Sequence, residues 1–420
     1  MAVSTHRQSD CVLTTALIIG VFVAALSWSG AVMASAYYDV KLMGRMAAIG
    51  SRHGSYAIEP GYYSGHHRVM ITNGGDLALP MVTGPKGVAA LWVRKAGELN
   101  GRIVFEAESA EHLFGDYTTD GESSVIFSVV SERKPVGIFR YSFLDDSVKK
   151  LTSGPLGSEA WYGIQGLAQN AVSARVSFGP VAQVLGLWRD SKWTVLASTQ
   201  EVDPESPFYF FHTHYVADDG SAIVRALMSA RYDDGGIYRI APDGVTTPLV
   251  ETAQRNPKST LTALAPWIAA NRRGDLVFSA FNRANGLGWY RLKGGRITSL
   301  LPEAMLGNAD LFPAAMNATG EVVFRFTDRE RTSLYVDMLG NLERIAGGGD
   351  RVATDIGPGL IGKPQSKVGI FAHSPWINDS GDVAFVSDLS SFTAPDADFA
   401  GESFEAGIGI GIFIAHRLLN

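Results

Sequence analysis

Two histidines spaced two residues apart stand in the aromatic run Phe210-Phe211-His212-Thr213-His214-Tyr215. On a strand, residues i and i+2 share a face, so both imidazoles could reach one metal or one ligand. A third ligand nearby in sequence is lacking, and Asp218-Asp219 suit a turn equally well, so no metal is assigned and a half-buried aromatic strand is the competing reading. His66 and His67 follow Tyr62-Tyr63; adjacent residues on a strand face opposite ways, so they share a site only in a loop. His53, His112 and His373 fall between the regular segments, so several imidazoles could converge on one rim, although surface histidines near neutral pH are more often simply solvated. Trp161, Trp193, Trp267 and Trp376 could offer flat faces to sugar rings or serve as packing. The ligand-binding candidates are His66, His67, His112, Trp161, His212, His214 and His373, and no residue is assigned to catalysis.

Several chemistries have no sequence basis. There is no Gly-x-Ser-x-Gly elbow, no His-Glu-x-x-His, no Walker loop and no Ser-x-Asp-x-Gly-x-x-Trp box. Asp396-Ala-Asp398-Phe-Ala-Gly401-Glu402 has oxygen ligands but not the spacing of a calcium loop. Gly347-Gly348-Gly349-Asp350 precedes no helix and reads as a strand-end turn, not a phosphate cradle. No cofactor is expected. The single cysteine, Cys11, lies in an apolar leader, so removal of that leader takes away thiolate chemistry and disulfides together.

The elements that must hold these side chains are short strands. Apolar residues come in runs of three to six, separated by Gly, Asp, Asn and Ser, and glycine totals 46. Asn271-Arg-Arg-Gly274-Asp275-Leu276-Val277-Phe278 recurs as Asn317 to Phe324 and as Asn378 to Phe385. Weaker copies start at Gly75, Gly121, Asn170 and Gly220, which makes seven. The turn Asn can bond a backbone N–H ahead of it, and the Gly at the fourth position accepts positive φ. Each following strand is apolar on both faces, so every sheet must be covered on both sides. A ring of stacked sheets meets that demand without the polar end caps of a linear solenoid. Trp92, Trp188 and Trp289 are read as one core column of the third strand.

The last copy stops after its third strand, near His416, and Tyr38-Asp39-Val40-Lys41-Leu42-Met43-Gly44 resembles the missing fourth, as in Asn341 to Gly347. The expectation is an all-β, seven-bladed β-propeller closed by pairing of the N- and C-terminal strands. Linkers such as Glu201 to Thr213 and Gly347 to Ser374, together with an insertion from Asp388 to Gly407, should gather on one rim.

At its three strict copies the chain resembles bacterial exported proteins with tandem NxxG…AF repeats; Asn378 to Phe385, with Ala384-Phe385, matches best. The resemblance implies an extracellular or cell-surface β-rich array with no assigned catalysis.

Residues 1 to 36 carry Arg7, an apolar stretch from Val12 to Ala25 and the small-residue ending Ala34-Ser35-Ala36, which reads as a signal peptide cleaved after Ala36; an uncleaved anchor over Cys11 to Ala36 is the alternative. Residues 37 to 420 then form one propeller domain, secreted or held in the periplasm or at the cell surface, without stable membrane insertion. A net charge of −6 argues against nucleic acid as a partner. The expected function is non-catalytic binding of an extracellular glycan or protein at the linker rim. A secreted hydrolase or lyase with a carboxylate/His site at the channel mouth is the alternative, and a purely structural matrix component a third possibility.

Overall fold

The computed structural model describes residues 37–47, 52–58, 62–63, 68–83, 88–109, 111–131, 134–154, 159–166, 171–284, 286–301, 314–327, 332–362, 371, 374–391 and 407–418, with only the backbone of residues 62, 63, 134, 160–162, 166 and 391. Among them there is no helix, and the strands form seven antiparallel sheets. Blade one is built on Leu77–Thr83, Val88–Arg94 and Arg102–Glu106, with Tyr62–Tyr63 and Met70–Ile71 as a divided innermost strand. Blades two to six begin with the innermost strands His112–Thr119, Ala160–Gly166, Phe210–Val216, Leu261–Ala270 and Ala315–Met316. Blade seven joins Trp376–Ile377, Val383–Ser391 and Gly409–Arg417 to Tyr38–Ala47 from the other end of the chain.

That last pairing is the expected closure, with Val40 opposite Ala415 and Lys41 opposite Ile414. The apolar clusters confirm a ring rather than a rod, because each one lies between two successive blades. Val277 and Trp289 of blade five meet Val322 and Phe324 of blade six. Val383, Phe385 and Phe413 of blade seven meet Val323 and Val336 of blade six. The opposite face of blade seven, Ala384, Val386 and Ile412, meets Leu77, Leu79 and Trp92 of blade one. Alternate residues of one strand thus face different neighbours, as a strand period of two requires.

An aromatic pair joins the second and third strands in four blades, at the third residue of the second strand in blades five, six and seven and at the fourth in blade two. Phe127 stacks on Phe139, Phe278 on Tyr290, Phe324 on Tyr335 and Phe385 on Phe413, with ring centroids 5.6, 5.8, 6.3 and 5.0 Å apart. In blade three the pair is Ala174 and Gly186, and Trp193 from the outermost strand fills the space; a Cβ on Gly186 would lie 2.9 Å from its ring. The ladders overturn the single tryptophan column. Trp188 lies opposite Val172, Trp92 opposite Leu79 and Trp289 opposite Ser279, which are the first, third and fourth residues of their second strands. A slip of one residue exchanges the faces of a strand, so Trp92 packs toward blade seven and Trp289 toward blade six.

The repeat turn works twice. Gly274, Gly320 and Gly381 adopt φ of 86°, 93° and 86° and donate N–H to the carbonyl of the turn Asn. The Oδ1 of Asn271, Asn317 and Asn378 accepts the N–H four residues on, at 3.0, 2.9 and 2.9 Å. The Nδ2 then reaches forward to the next blade: Asn271 to Ala318 O (3.5 Å), Asn317 to Asn378 O (3.0 Å), and Asn378 across the closure to Thr72 O (3.0 Å). Thr72 holds the Asn position in blade one, where its Oγ1 accepts the N–H of Asp76. Asn73 N bonds Gly121 O and Asp218 N bonds Arg272 O, while Arg272 Nη2 reaches Asp120 O of blade two, three blades away. The turn end of the ring is therefore cross-linked.

A hairpin unforeseen in the Gly347 to Ser374 linker, Arg351–Thr354 with Gly357–Ile361, adds to blade seven beside Val383–Ser391. Its turn residue Asp355 forms a two-point ion pair with Arg45 of the closing strand, at 2.7 and 3.1 Å, both side chains being fully buried. Arg45 also donates to Ile408 O and Arg52 O. Removing one member of such a pair strands a buried charge. Arg45→Met should lower stability by about 3–5 kcal/mol, and adding Asp355→Leu should recover most of that loss in urea unfolding. Asn378→Ala, which frees a buried carbonyl at the ring junction, should cost about 1–3 kcal/mol by the same measurement.

Candidate functional site

In a propeller the innermost strands line the central channel, and here several are broken by bulges. The register slips between Phe114 and Tyr117, Tyr162 and Gln165, Phe211 and His214, and Leu264 and Ile268. A bulge frees carbonyls from the ladder and re-aims side chains. Arginines take up those carbonyls from the neighbouring blade. Arg175 of blade three donates to Phe211 O and His212 O. Arg225 of blade four donates to Leu264 O and Ala265 O at 3.1 and 3.3 Å. Arg325 of blade six donates instead to a carbonyl outside the strands, Phe371 O in the linker ahead of Trp376–Ile377, at 3.0 Å. Asp116 does the reverse, its Oδ2 accepting Ile164 N at 3.1 Å.

The bulge also decides the fate of the histidine pair. His212 and Thr213 together oppose Arg225, so the i, i+2 alternation fails. His214 falls in line with Phe211, is 2% exposed, and places Nε2 3.2 Å from Ser173 Oγ of blade three. Its Nδ1 has no hydrogen-bond partner among the described residues and lies against Gly163, whose positive φ of 59° and missing Cβ let the strand pass. His212 instead sits between the rings of Phe210 and Tyr232, at 4.9 and 6.2 Å. Burial, and then the charges of Arg225 and Arg175, push the pKa of His212 down to about 3. Burial and Arg175 do the same to His214, also to about 3. Both are neutral imidazoles at neutral pH.

The other sequence candidates are dispersed. His112 opens the innermost strand of blade two opposite Ser131, half-buried. The backbone of Trp161 lies in blade three opposite Val176. His66, His67, His373 and the side chain of Trp161 lie outside the described residues. His53 is exposed. Trp267 is 45% exposed within the blade-five bulge, and Trp376 packs its ring 4.8 Å from the Arg68 guanidinium. Trp193 borders an open apolar groove of about 440 Å³ on blade three with Phe178, Val184, Val195 and Val202.

The channel arginines are not among the sequence candidates, although part of their signal was present. Arg175, Arg225 and Arg325 share the fourth place of the second strand, where blade five carries Ser279 and blade two, whose strand starts one residue earlier, carries Ser128 fifth. A charge in the middle of an apolar run, repeated at one place in the unit, marks a buried position with backbone partners. Arg68 has no such marker. Its N–H meets Tyr117 Oη at 2.5 Å and its Nη2 meets Tyr117 O at 2.8 Å, while its guanidinium lies between the rings of Tyr117 and Trp376.

No family model and no curated protein matches the chain. Among solved structures, an oligogalacturonate lyase in complex with manganese is similar at 11% identity, with a TM-score of 0.55, 92% of this chain and 98% of that one covered. A puromycin hydrolase is similar at 13% identity and a TM-score of 0.52, covering 82% of this chain and 53% of its own. TolB from Acinetobacter baumannii aligns at 12% identity and a TM-score of 0.43 over 70% of this chain and 64% of that one. At these identities the first two likenesses show the propeller fold.

The depressed histidines make stability depend on pH. An unfolded imidazole takes a proton near pH 6.5 while the folded one resists until about 3, so their stabilisation is complete above pH 6.5 and is lost progressively as pH falls toward 3. For His214 the loss at pH 5 should be about 2 kcal/mol. Urea unfolding at pH 7.5 and pH 5 should therefore show a smaller difference for His214→Gln than for the parent; equal differences would refute the assignment.

Proposed function

We propose that the protein is an exported, non-catalytic propeller that binds an extracellular glycan or protein at the linker-side mouth of its channel. The observation that carries this reading is the polarity of the ring. The turn end is laced by the repeat asparagines and crossed by Arg272. The innermost strands, by contrast, are interrupted by bulges, within which Trp267 is 45% exposed and Thr213 half-buried. A ligand would then approach from the end opposite those turns, where the repeat pattern puts the linkers, and loops of differing length on a rigid scaffold suit recognition. The leader at residues 1 to 36 supports export.

The hydrolase or lyase alternative draws less support. General acid–base work needs groups that titrate near the working pH, and His212 and His214 are held neutral, with pKa values of about 3. Burial does push Asp388 up to about 6, but it stands on blade seven opposite Ile410. Enzymatic names among the structural neighbours speak for those proteins; at the observed identities they transfer a fold.

Glycan arrays and pull-downs with secreted proteins test the proposal. Retention of a defined glycan or protein without turnover is expected, weakened about threefold to tenfold by Trp267→Ala at an unchanged melting temperature. Blank arrays and pull-downs, or conversion of a retained oligosaccharide into shorter products, would defeat it.

A further inference from the structure

Three rings form a continuous patch on blade four. Phe210 opens the innermost strand opposite Leu227, the last residue of the second strand, and Tyr232 lies in the connection from Met228 to Asp234 that follows. That connection leaves the second strand at the end opposite the repeat turn of Ala217 to Ser221, so it belongs to the end from which a ligand is proposed to approach. His212 joins the two, its ring edge-on to both at 4.9 Å from Phe210 and 6.2 Å from Tyr232. Two guanidiniums back the patch, Arg175 over the Phe210 ring at 5.6 Å and Arg225 over the Tyr232 ring at 5.7 Å. Arg225 is fully buried whereas Tyr232 is 46% exposed, so the ring surface that meets solvent is turned away from the guanidinium. Arg225 donates to Ala226 O, Leu264 O and Ala265 O, and Arg175 to Phe211 O and His212 O.

The residues on either side of Tyr232 are polar and exposed. Arg231 and Asp233 form a two-point ion pair, at 3.0 and 2.9 Å. The loop that carries them is held by its own backbone, with Met228 N bonded to Asp234 O at 2.9 Å and Asp234 N to Arg231 O at 3.1 Å. An aromatic face and a donor–acceptor pair are therefore fixed on one short connection.

We infer that this connection is a saccharide subsite, in which Tyr232 stacks on a neutral pyranose ring and Arg231 and Asp233 bond its hydroxyls. The inference rests on the binding function proposed above and names its ligand class. A pyranose carries C–H groups on its faces and hydroxyls at its edge, the complement of a flat ring beside a donor fork and a carboxylate. A charged ligand is less suited, because Arg231 already has its counter-ion and Arg175 and Arg225 lie behind rings with backbone partners. An apolar protein surface is less suited too. It would strip the ion pair of water at a cost, whereas sugar hydroxyls replace the water they displace.

Calorimetric titration of the full chain with neutral hexasaccharides of glucose, mannose and xylose, and with a galacturonate hexamer for contrast, tests the inference. At least one neutral hexasaccharide should bind. Tyr232→Ala should weaken it about threefold to tenfold, and Tyr232→Phe, which keeps the ring, should stay within about twofold of the parent. Asp233→Ala should weaken it about threefold or more. Equal melting temperatures separate these losses from a packing role for the ring. If Tyr232→Ala does not fold, the exposed substitution Asp233→Ala decides, and undiminished affinity in it overturns the inference. Undiminished affinity in folded Tyr232→Ala does the same. Binding of the galacturonate hexamer or of a secreted protein, with no binding of the neutral hexasaccharides, defeats this inference and leaves the proposed binding function standing; blank arrays and pull-downs remove both.

Discussion

Every sheet in this protein is apolar on both faces, and that one constraint governs the rest of the architecture. A sheet with one wet face can end a stack, but Val383-Ala384-Phe385-Val386 cannot, since Val383 and Phe385 need blade six while Ala384 and Val386 need blade one. The stack must return on itself. Burial of apolar area contributes roughly 25 cal/mol per Å², so an open edge between the first and last blades would forfeit the contacts of an entire cluster. The chain meets the demand by building blade seven from its two ends, which makes the ring junction a set of ladder bonds between Tyr38–Ala47 and Gly409–Arg417.

Closing the ring brings polar groups together as well, and their satisfaction divides the molecule into two dissimilar ends. At the turn end the same side chain that closes a hairpin also ties its blade to the next, so turn chemistry and inter-blade cohesion are a single feature of the repeat. In the channel the innermost strands are too bulged to satisfy their own carbonyls. Arg175 and Arg225 from adjacent blades supply the donors. Charge enters an otherwise apolar interior there because an unpaired buried carbonyl is costly and a guanidinium can serve two at once.

The site follows from this arrangement. Three arginines donate to backbone carbonyls and two histidines are kept neutral by burial, and Arg68 joins the same pattern through Tyr117 O beside the rings of Tyr117 and Trp376. The same bulges that require the arginines turn His212 away from His214, so a pairing that strand geometry would permit is dissolved by the packing that accommodates it.

Turn chemistry and two-sided apolar strands are local properties, and they were sufficient for an all-β ring of seven blades and for its closure by Tyr38 to Gly44, because each step concerns a few neighbouring residues or a face that must be covered. Arg175, Arg225 and Arg325 were visible as charges in one place of the repeat, but not their partners, which lie on the next blade. The registers of Trp92, Trp188 and Trp289, the hairpin around Asp355 and the stacking of Arg68 between Tyr117 and Trp376 were decided only in three dimensions. Each depends on where a bulge or a one-residue slip falls, and that is fixed by carbonyls and side chains distant in the chain competing for the same interior space.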